Sequence, residues 1–164
     1  MKKWLILTGI MVLLIGAGVG IYRVVQHNEW LEERRTELLE DALAPRTPEL
    51  AAYSWAEAIK NRNGAWQYAI MADNLRVQYL EQFEETNWVT GFSSPWVEKY
   101  RVTRESVDES GNVNFKVDFE WYTSAGYAYS NSGILTVSKF EYPDRWLITH
   151  LKFSYDPDAV KKSS

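Results

Sequence analysis

Cysteine is absent from all 164 residues, which excludes disulfides, thiolate metal sites and thiol catalysis together. Histidine is nearly absent: His27 and His150 are the two, and they are not at ligand spacing, so no metal site is expected. There is no basic excess either. Lys and Arg number 18 against 22 Asp and Glu, a formal net charge of -4. That argues against nucleic acid as a partner, because neutralising phosphates takes a basic patch. No glycine-rich phosphate loop occurs and no cofactor is expected. The Asp156-Pro157-Asp158 run reads as a terminal turn. A Ser-x-x-Lys motif is missing, since the nearest lysine to Ser94 is Lys99, five positions on. No internal repeat or low-complexity tract interrupts the chain.

Charge is also missing from one long stretch. Trp4 to Tyr22 reads WLILTGIMVLLIGAGVGIY, about the 20 residues a helix needs to span a bilayer. Trp4 and Tyr22 fall at its ends, where amphipathic rings favour the headgroups. Lys2 and Lys3 precede the run and Arg23 follows it. Positive charge favours the cytoplasmic side, so the N-terminus is expected inside and the rest of the chain extracytoplasmic. The alternative is a cleaved signal peptide, with Leu5–Ile15 as its apolar part and small residues from Gly16 to Gly20 as the cleavage region, releasing a secreted domain. The Gly16/Gly20 spacing is that of a membrane helix-pairing motif, a weak signal by itself.

What is plentiful is aromatic: eight Trp and ten Tyr, 15 % of the chain with Phe. Each such side chain can bury roughly 150–250 Å², enough for one compact core. Residues Gln26–Ala44 form an acidic, helix-favouring segment with a partial apolar stripe; a short coiled-coil dimer is an alternative to a solvated stalk, but the segment holds fewer than the three or four heptads it needs. Thr47-Pro48-Glu49 is a helix start, with a hydroxyl cap, Pro in the first turn and an acid beside it. Ala51, Trp55, Ala58 and Ile59 share a face up to Asn63-Gly64, where Gly64 is expected to end the helix in a left-handed conformation. A second helix carries Trp66, Ala69 and Ile70, and a third carries Leu75, Tyr79, Leu80 and Phe83.

From Val97 the pattern changes to strands. Val113, Phe115, Val117, Phe119 and Trp121 alternate with polar residues, giving one buried face. Turns are expected at Glu109–Asn112, Ser130–Gly133 and Glu141–Asp144 from their composition, leaving strands at Val97–Val107, Val113–Thr123, Tyr127–Tyr129, Ile134–Phe140 and Trp146–Tyr155. The fold class is α+β: a transmembrane helix, then three helices packed on a curved antiparallel sheet. Residues 1–25 read as the anchor, 26–46 as a stalk, 47–156 as the globular domain and 157–164 as a frayed tail.

The helical opening AAYSWAEAIKNRNGAWQYAI, then LRVQYLEQF, then hairpins ending in RWLITHLKF, resembles the NTF2-like, or cystatin-like, superfamily. That resemblance implies a cone of three helices against a bent sheet, with Asn61–Gly64 as the turn between the first two helices. It covers roughly residues 48–155 and rests on the order of elements. A membrane helix followed by such a domain is similar in build to VirB8-type secretion and conjugation components. It is also similar to the domain attached to some penicillin-binding proteins, although no transpeptidase sequence is present.

Candidate binding residues gather in Trp88–Trp96, where Trp88, Phe92 and Trp96 surround Gly91 and Pro95 and where Ser93 and Ser94 offer hydrogen bonds. The segment is either a binding rim or a lid closing the core. Tyr100 and Trp121 are expected to line the cone with them. His150, alternating with Ile148 and Lys152, is the one titratable base near the carboxylates of Asp118 and Glu120. Those two share parity with Lys116, which points to solvent. Tyr122, Tyr127, Tyr129 and Tyr142 cluster in the hairpins and favour a protein contact. The sequence therefore leads toward a non-enzymatic envelope module that meets another envelope protein or itself. The alternative is a ligand-binding or enzymatic cone.

Overall fold

The computed structural model describes residues 2–91, 93–141 and 144–154, with side chains from residue 18 to 153. The chain divides into two units, Met1–Ala42 and Leu43–Ser164.

The first unit is one helix, α1, Lys2–Leu43, roughly 63 Å long at 1.5 Å per residue. It runs without a break through the expected boundary between anchor and stalk. Along its second half, ion pairs join Arg35 to Glu32 at 2.7 Å and Arg34 to Glu37 at 2.6 Å. Among the described residues no helix is long and apolar enough to cross a membrane. The Trp4–Tyr22 run lies, up to Ala17, outside the residues with described side chains.

The second unit is α+β, with three helices and a four-stranded antiparallel sheet. Helix α2 (Pro48–Lys60) begins where the sequence places it: the Thr47 hydroxyl accepts from Leu50 N at 3.1 Å, Pro48 opens the helix and Glu49 sits in the first turn. Ala51, Ala52, Ala56 and Ala58 are buried, and these small side chains bring α2 close to the sheet while Trp55 fills the space between. Helix α3 (Gly64–Ala69) follows after one tight turn, capped by the Asn63 carboxamide, which accepts from Trp66 N. Helix α4 (Asp73–Glu85) buries Leu75 and Phe83.

Gly64 differs from expectation. The left-handed residue of this turn is Arg62, φ 54°, and Gly64 is the buried first residue of α3. A Cβ there would lie 2.9 Å from the Trp88 carbonyl oxygen and 2.9 Å from the Phe83 ring. The position requires close approach rather than an unusual φ.

Strands β1 (Trp96–Val107), β2 (Val113–Thr123), β3 (Gly126–Glu141) and β4 (Asp144–Ser154) pair in chain order as a meander. The β1–β2 turn is held by Asp108, whose carboxylate accepts from Ser110 N, Asn112 N and the Asn112 amide. The β3–β4 ladder closes at Glu141 opposite Asp144; Tyr142 and Pro143 lie outside the described residues, as do Tyr155 and the expected tail.

One expected turn is not a turn. Ser130–Gly133 is the middle of the continuous strand β3, and the β2–β3 hairpin closes instead at Ser124-Ala125. Each turn-like residue has a role in the sheet. Asn131 accepts from Trp121 Nε1 at 2.8 Å, Ser132 donates to Asp118, and Gly133 leaves room for Phe153, whose ring a Cβ would meet at 2.8 Å.

The core lies between α2 and the inner face of the sheet: Trp55, Val113, Phe115, Val117, Phe119, Leu135, Val137 and Ile148 are almost fully buried. Each large side chain contributes roughly 1.5–3 kcal/mol by leaving water. The open edge at β4 is partly covered: Trp146 N donates to Pro45 O at 2.8 Å, Ile148 N to Ile70 O at 3.0 Å, and Ala72 N to Ile148 O at 2.9 Å.

Candidate interaction site

At the β2–β3 hairpin end, the ladder stacks aromatic residues on both faces of the sheet. One row is Trp96, Tyr122 and Tyr127; the next is Val97, Trp121 and Tyr129. Tyr122 and Tyr127 meet edge to face, ring centroids 5.7 Å apart, and Trp121 stacks on Tyr129 at 5.7 Å and 17°. The Trp96 indole donates to Glu98 at 2.9 Å. Such preset rings lose little freedom on contact with a partner.

Beside the inner row is a crevice of about 100 Å³, lined by Ile59, Arg62, Thr90, Gly91, Trp96, Val97 and Trp121. Its wall opposite the sheet is the 88–91 loop, which is stitched to the α2–α3 turn. Gly64 N donates to Trp88 O at 2.8 Å and Thr90 N to Arg62 O at 3.1 Å. From below, the buried Gln67 carboxamide donates to Thr90 Oγ1 at 2.7 Å. The crevice is therefore held from two sides and is preformed.

The expected site residues separate into groups. Trp96 and Trp121 meet at the crevice. Trp88 does not join them: its ring stacks on Phe83 at 5.6 Å and 7° and meets Tyr68 edge to face at 5.3 Å, so it closes the small core under α3 and α4. Ser93 and Ser94 are exposed, and Phe92 lies outside the described residues. Tyr100 is half-buried and its hydroxyl donates to Glu57 at 2.7 Å. Burial, together with that carboxylate, pushes the phenol up to about 12. The hydrogen bond from Tyr100, then that from Asn61, holds Glu57 below its ordinary value. At neutral pH the phenol keeps its proton and ties β1 to α2, which is a structural role.

His150 is exposed on the outer face of β4, opposite Thr136, with Asn114 beyond. Asp118 and Glu120 belong to other rows, Arg101–Asp118–Ser132 and Lys99–Glu120–Ser130. The geometry thus assembles no His–carboxylate pair, and His150 stands on the face opposite Phe119 and Trp121. Burial pushes Asp118 up, but hydrogen bonds from Lys116 and Ser132 and the charges of Lys116 and Arg101 outweigh it and leave it below its ordinary value. A shallow depression of about 380 Å³ lies over these rows. Within it Lys99 faces Glu120 at 3.9 Å, and Asp118 pairs with Lys116 beside it at 2.8 Å, as on a solvated sheet face. Among the described residues no three His, Asp or Glu side chains gather to hold a metal ion.

Ile59, Arg62, Thr90 and Gln67 are site residues that sequence reasoning did not single out. Their only signal is the polar Arg62-Asn63-Gly64 turn, whose second purpose is visible only when the 88–91 loop lies against it. No protein-family model matches this chain, and no curated protein matches it.

Proposed function

We propose that this chain is a membrane-anchored, extracytoplasmic module with an NTF2-like cone, a non-catalytic component that meets another envelope protein through the aromatic end of its sheet. Anchoring rests on the uncharged Trp4–Tyr22 run and on Lys2 and Lys3 before it. The order of elements, three short helices and then a four-stranded antiparallel meander, supports the cone and the likeness in build to VirB8-type components.

The observation that carries the reading is the size of the crevice beside Trp96 and Trp121. At about 100 Å³ it admits one apolar side chain, whereas ligand pockets run to roughly 300–1,000 Å³; the shallow depression of about 380 Å³ falls in that range but is lined mainly by charged and polar side chains. The space between α2 and the sheet is filled by Trp55 and Phe119, ring centroids 6.2 Å apart, with the half-exposed Phe153 ring against both. A one-residue pocket with two Trp side chains in its lining is the arrangement of an interface hot spot. The ligand-binding or enzymatic alternative has less in its favour.

The test is photo-crosslinking in membranes, with a photoreactive side chain placed singly in the full-length chain at Trp96, Tyr127, His150 or Lys152. Adducts to another protein are expected from the first two positions. Adducts confined to the β4 positions, or none from any, would overturn the reading.

A further inference from the structure

We infer that α1 pairs with α1 of a second copy as a parallel two-stranded coiled coil. The continuity of the helix is what makes this visible. Taken as a separate stalk that ends with the helix at Leu43, residues 26–43 fall short of three heptads. In one unbroken helix the repeat begins earlier, at Ile21, and completes three heptads by Asp41, the minimum such a pairing needs.

The core positions follow the 3-4 spacing of a coiled-coil seam. Val24, Leu31 and Leu38 recur every seventh residue at d, and Ile21, Asn28, Arg35 and Ala42 take a. Val24 is 60 % exposed, Leu31 45 % and Leu38 55 %. A long helix with its apolar stripe in water gains little from forming alone. Lipid is not the cover for the lower part of this stripe, because Glu29, Glu32, Glu33 and Arg34 flank it and Arg35 lies within it. Of the large apolar residues outside the stripe, Trp30 already stacks on His27 of its own helix, ring centroids 6.0 Å apart.

The polar residues of the seam choose the occupant. Leu at d with Asn at one a position specifies a parallel dimer in a single register. In that register Asn28 meets Asn28, and the two carboxamides satisfy each other. A slip of one heptad would set the Asn28 of one copy against Ile21 and bury its amide with no partner. Arg35 meets Arg35 in the same register, and each keeps its counter-ion, the Glu32 carboxylate at 2.7 Å on its own helix. The flanking g–e pairs of the parallel register are His27 with Glu32 and Arg34 with Leu39, so these flanks set no like charges against each other. Carried back in the sequence, the same spacing falls on Leu14, Ile10 and Leu7, so the seam is continuous with the apolar segment.

The absence of cysteine makes the test direct. Single cysteines are placed in the full-length chain, in membranes, at Val24, Leu31 or Leu38, and for comparison at Glu29, Glu33 or Thr36 on the outer side of the helix. After mild oxidation, a species of twice the chain mass is expected from all three d positions, at several times the yield of the outer three. Equal yields at all six positions, crosslinking at only one d position (as an antiparallel pair would give), or no crosslinking would each overturn the inference. The readout is a homodimer, so it is independent of whether the aromatic end of the sheet meets another protein.

Discussion

The phenol of Tyr100 and the carboxylate of Glu57 join β1 to α2 through one hydrogen bond of 2.7 Å; burial and then that bond raise the phenol, and the bond lowers the carboxylate. Tyr100 is raised to about 12 from 10.0, so its contribution to stability is present below pH 10 and is lost as pH rises toward 12. Glu57 is lowered from 4.5, so its contribution is present above that value and is lost as pH falls below it. The bond is worth about 1 kcal/mol, the ordinary net value for a partly solvated pair. Tyr100→Phe keeps the ring against Phe119 and removes only the donor. Denaturant unfolding of this variant is expected to show a loss of about 1 kcal/mol at neutral pH. It should also flatten the decline in stability that the parent chain shows between pH 10 and 12. An unchanged alkaline limb would refute the assignment of that limb to Tyr100.

At the scale of elements, strand β3 is the instructive case. Its central residues, Ser130–Gly133, carry the composition of a turn, and local chemistry alone favours a turn there. Three partners distant in sequence override it: the Trp121 indole on Asn131, Asp118 on Ser132, and the Phe153 ring over Gly133. Amide hydrogen exchange discriminates the two states. Protection across Asn131–Gly133 is expected to match that of Ile134–Val137, whereas a loop would exchange orders of magnitude faster and would sink the continuous strand. The same contrast explains what the sequence made legible. The α2 start was readable because cap, proline and acid sit side by side, and β2 because its apolar residues alternate over its whole length. Gly64 was misread because the carbonyl it accommodates belongs to Trp88, 24 positions on. The crevice was readable only at Trp96 and Trp121; Arg62 and Thr90 reach it through a backbone hydrogen bond between loops, which leaves no periodic trace.

The two units draw their stability from different sources, and this separates them in solution. The unit Leu43–Ser164 buries its own core, with Trp55, Phe115 and Phe119 each about 1 % exposed, so unimolecular, two-state unfolding is the expectation for it. The second half of α1 keeps its apolar seam exposed in a single chain, and pairing makes its stability a function of protein concentration. Tenfold dilution weakens a dimer by about 1.4 kcal/mol and leaves a monomeric fold unchanged. Thermal melts of the full-length chain in micelles, at fixed detergent and varied protein, can follow both units at once. The near-ultraviolet circular dichroism of the aromatic core is expected to hold its midpoint across the dilution series. A fraction of the far-ultraviolet helical signal is expected to melt at progressively lower temperature. The Leu31→Glu/Leu38→Glu double variant, which puts like charges into the seam, should melt that fraction early at every concentration and leave the aromatic transition where it was. A helical signal that ignores dilution would mean that α1 stands alone. An aromatic transition that moves with dilution would mean that the globular unit itself depends on assembly.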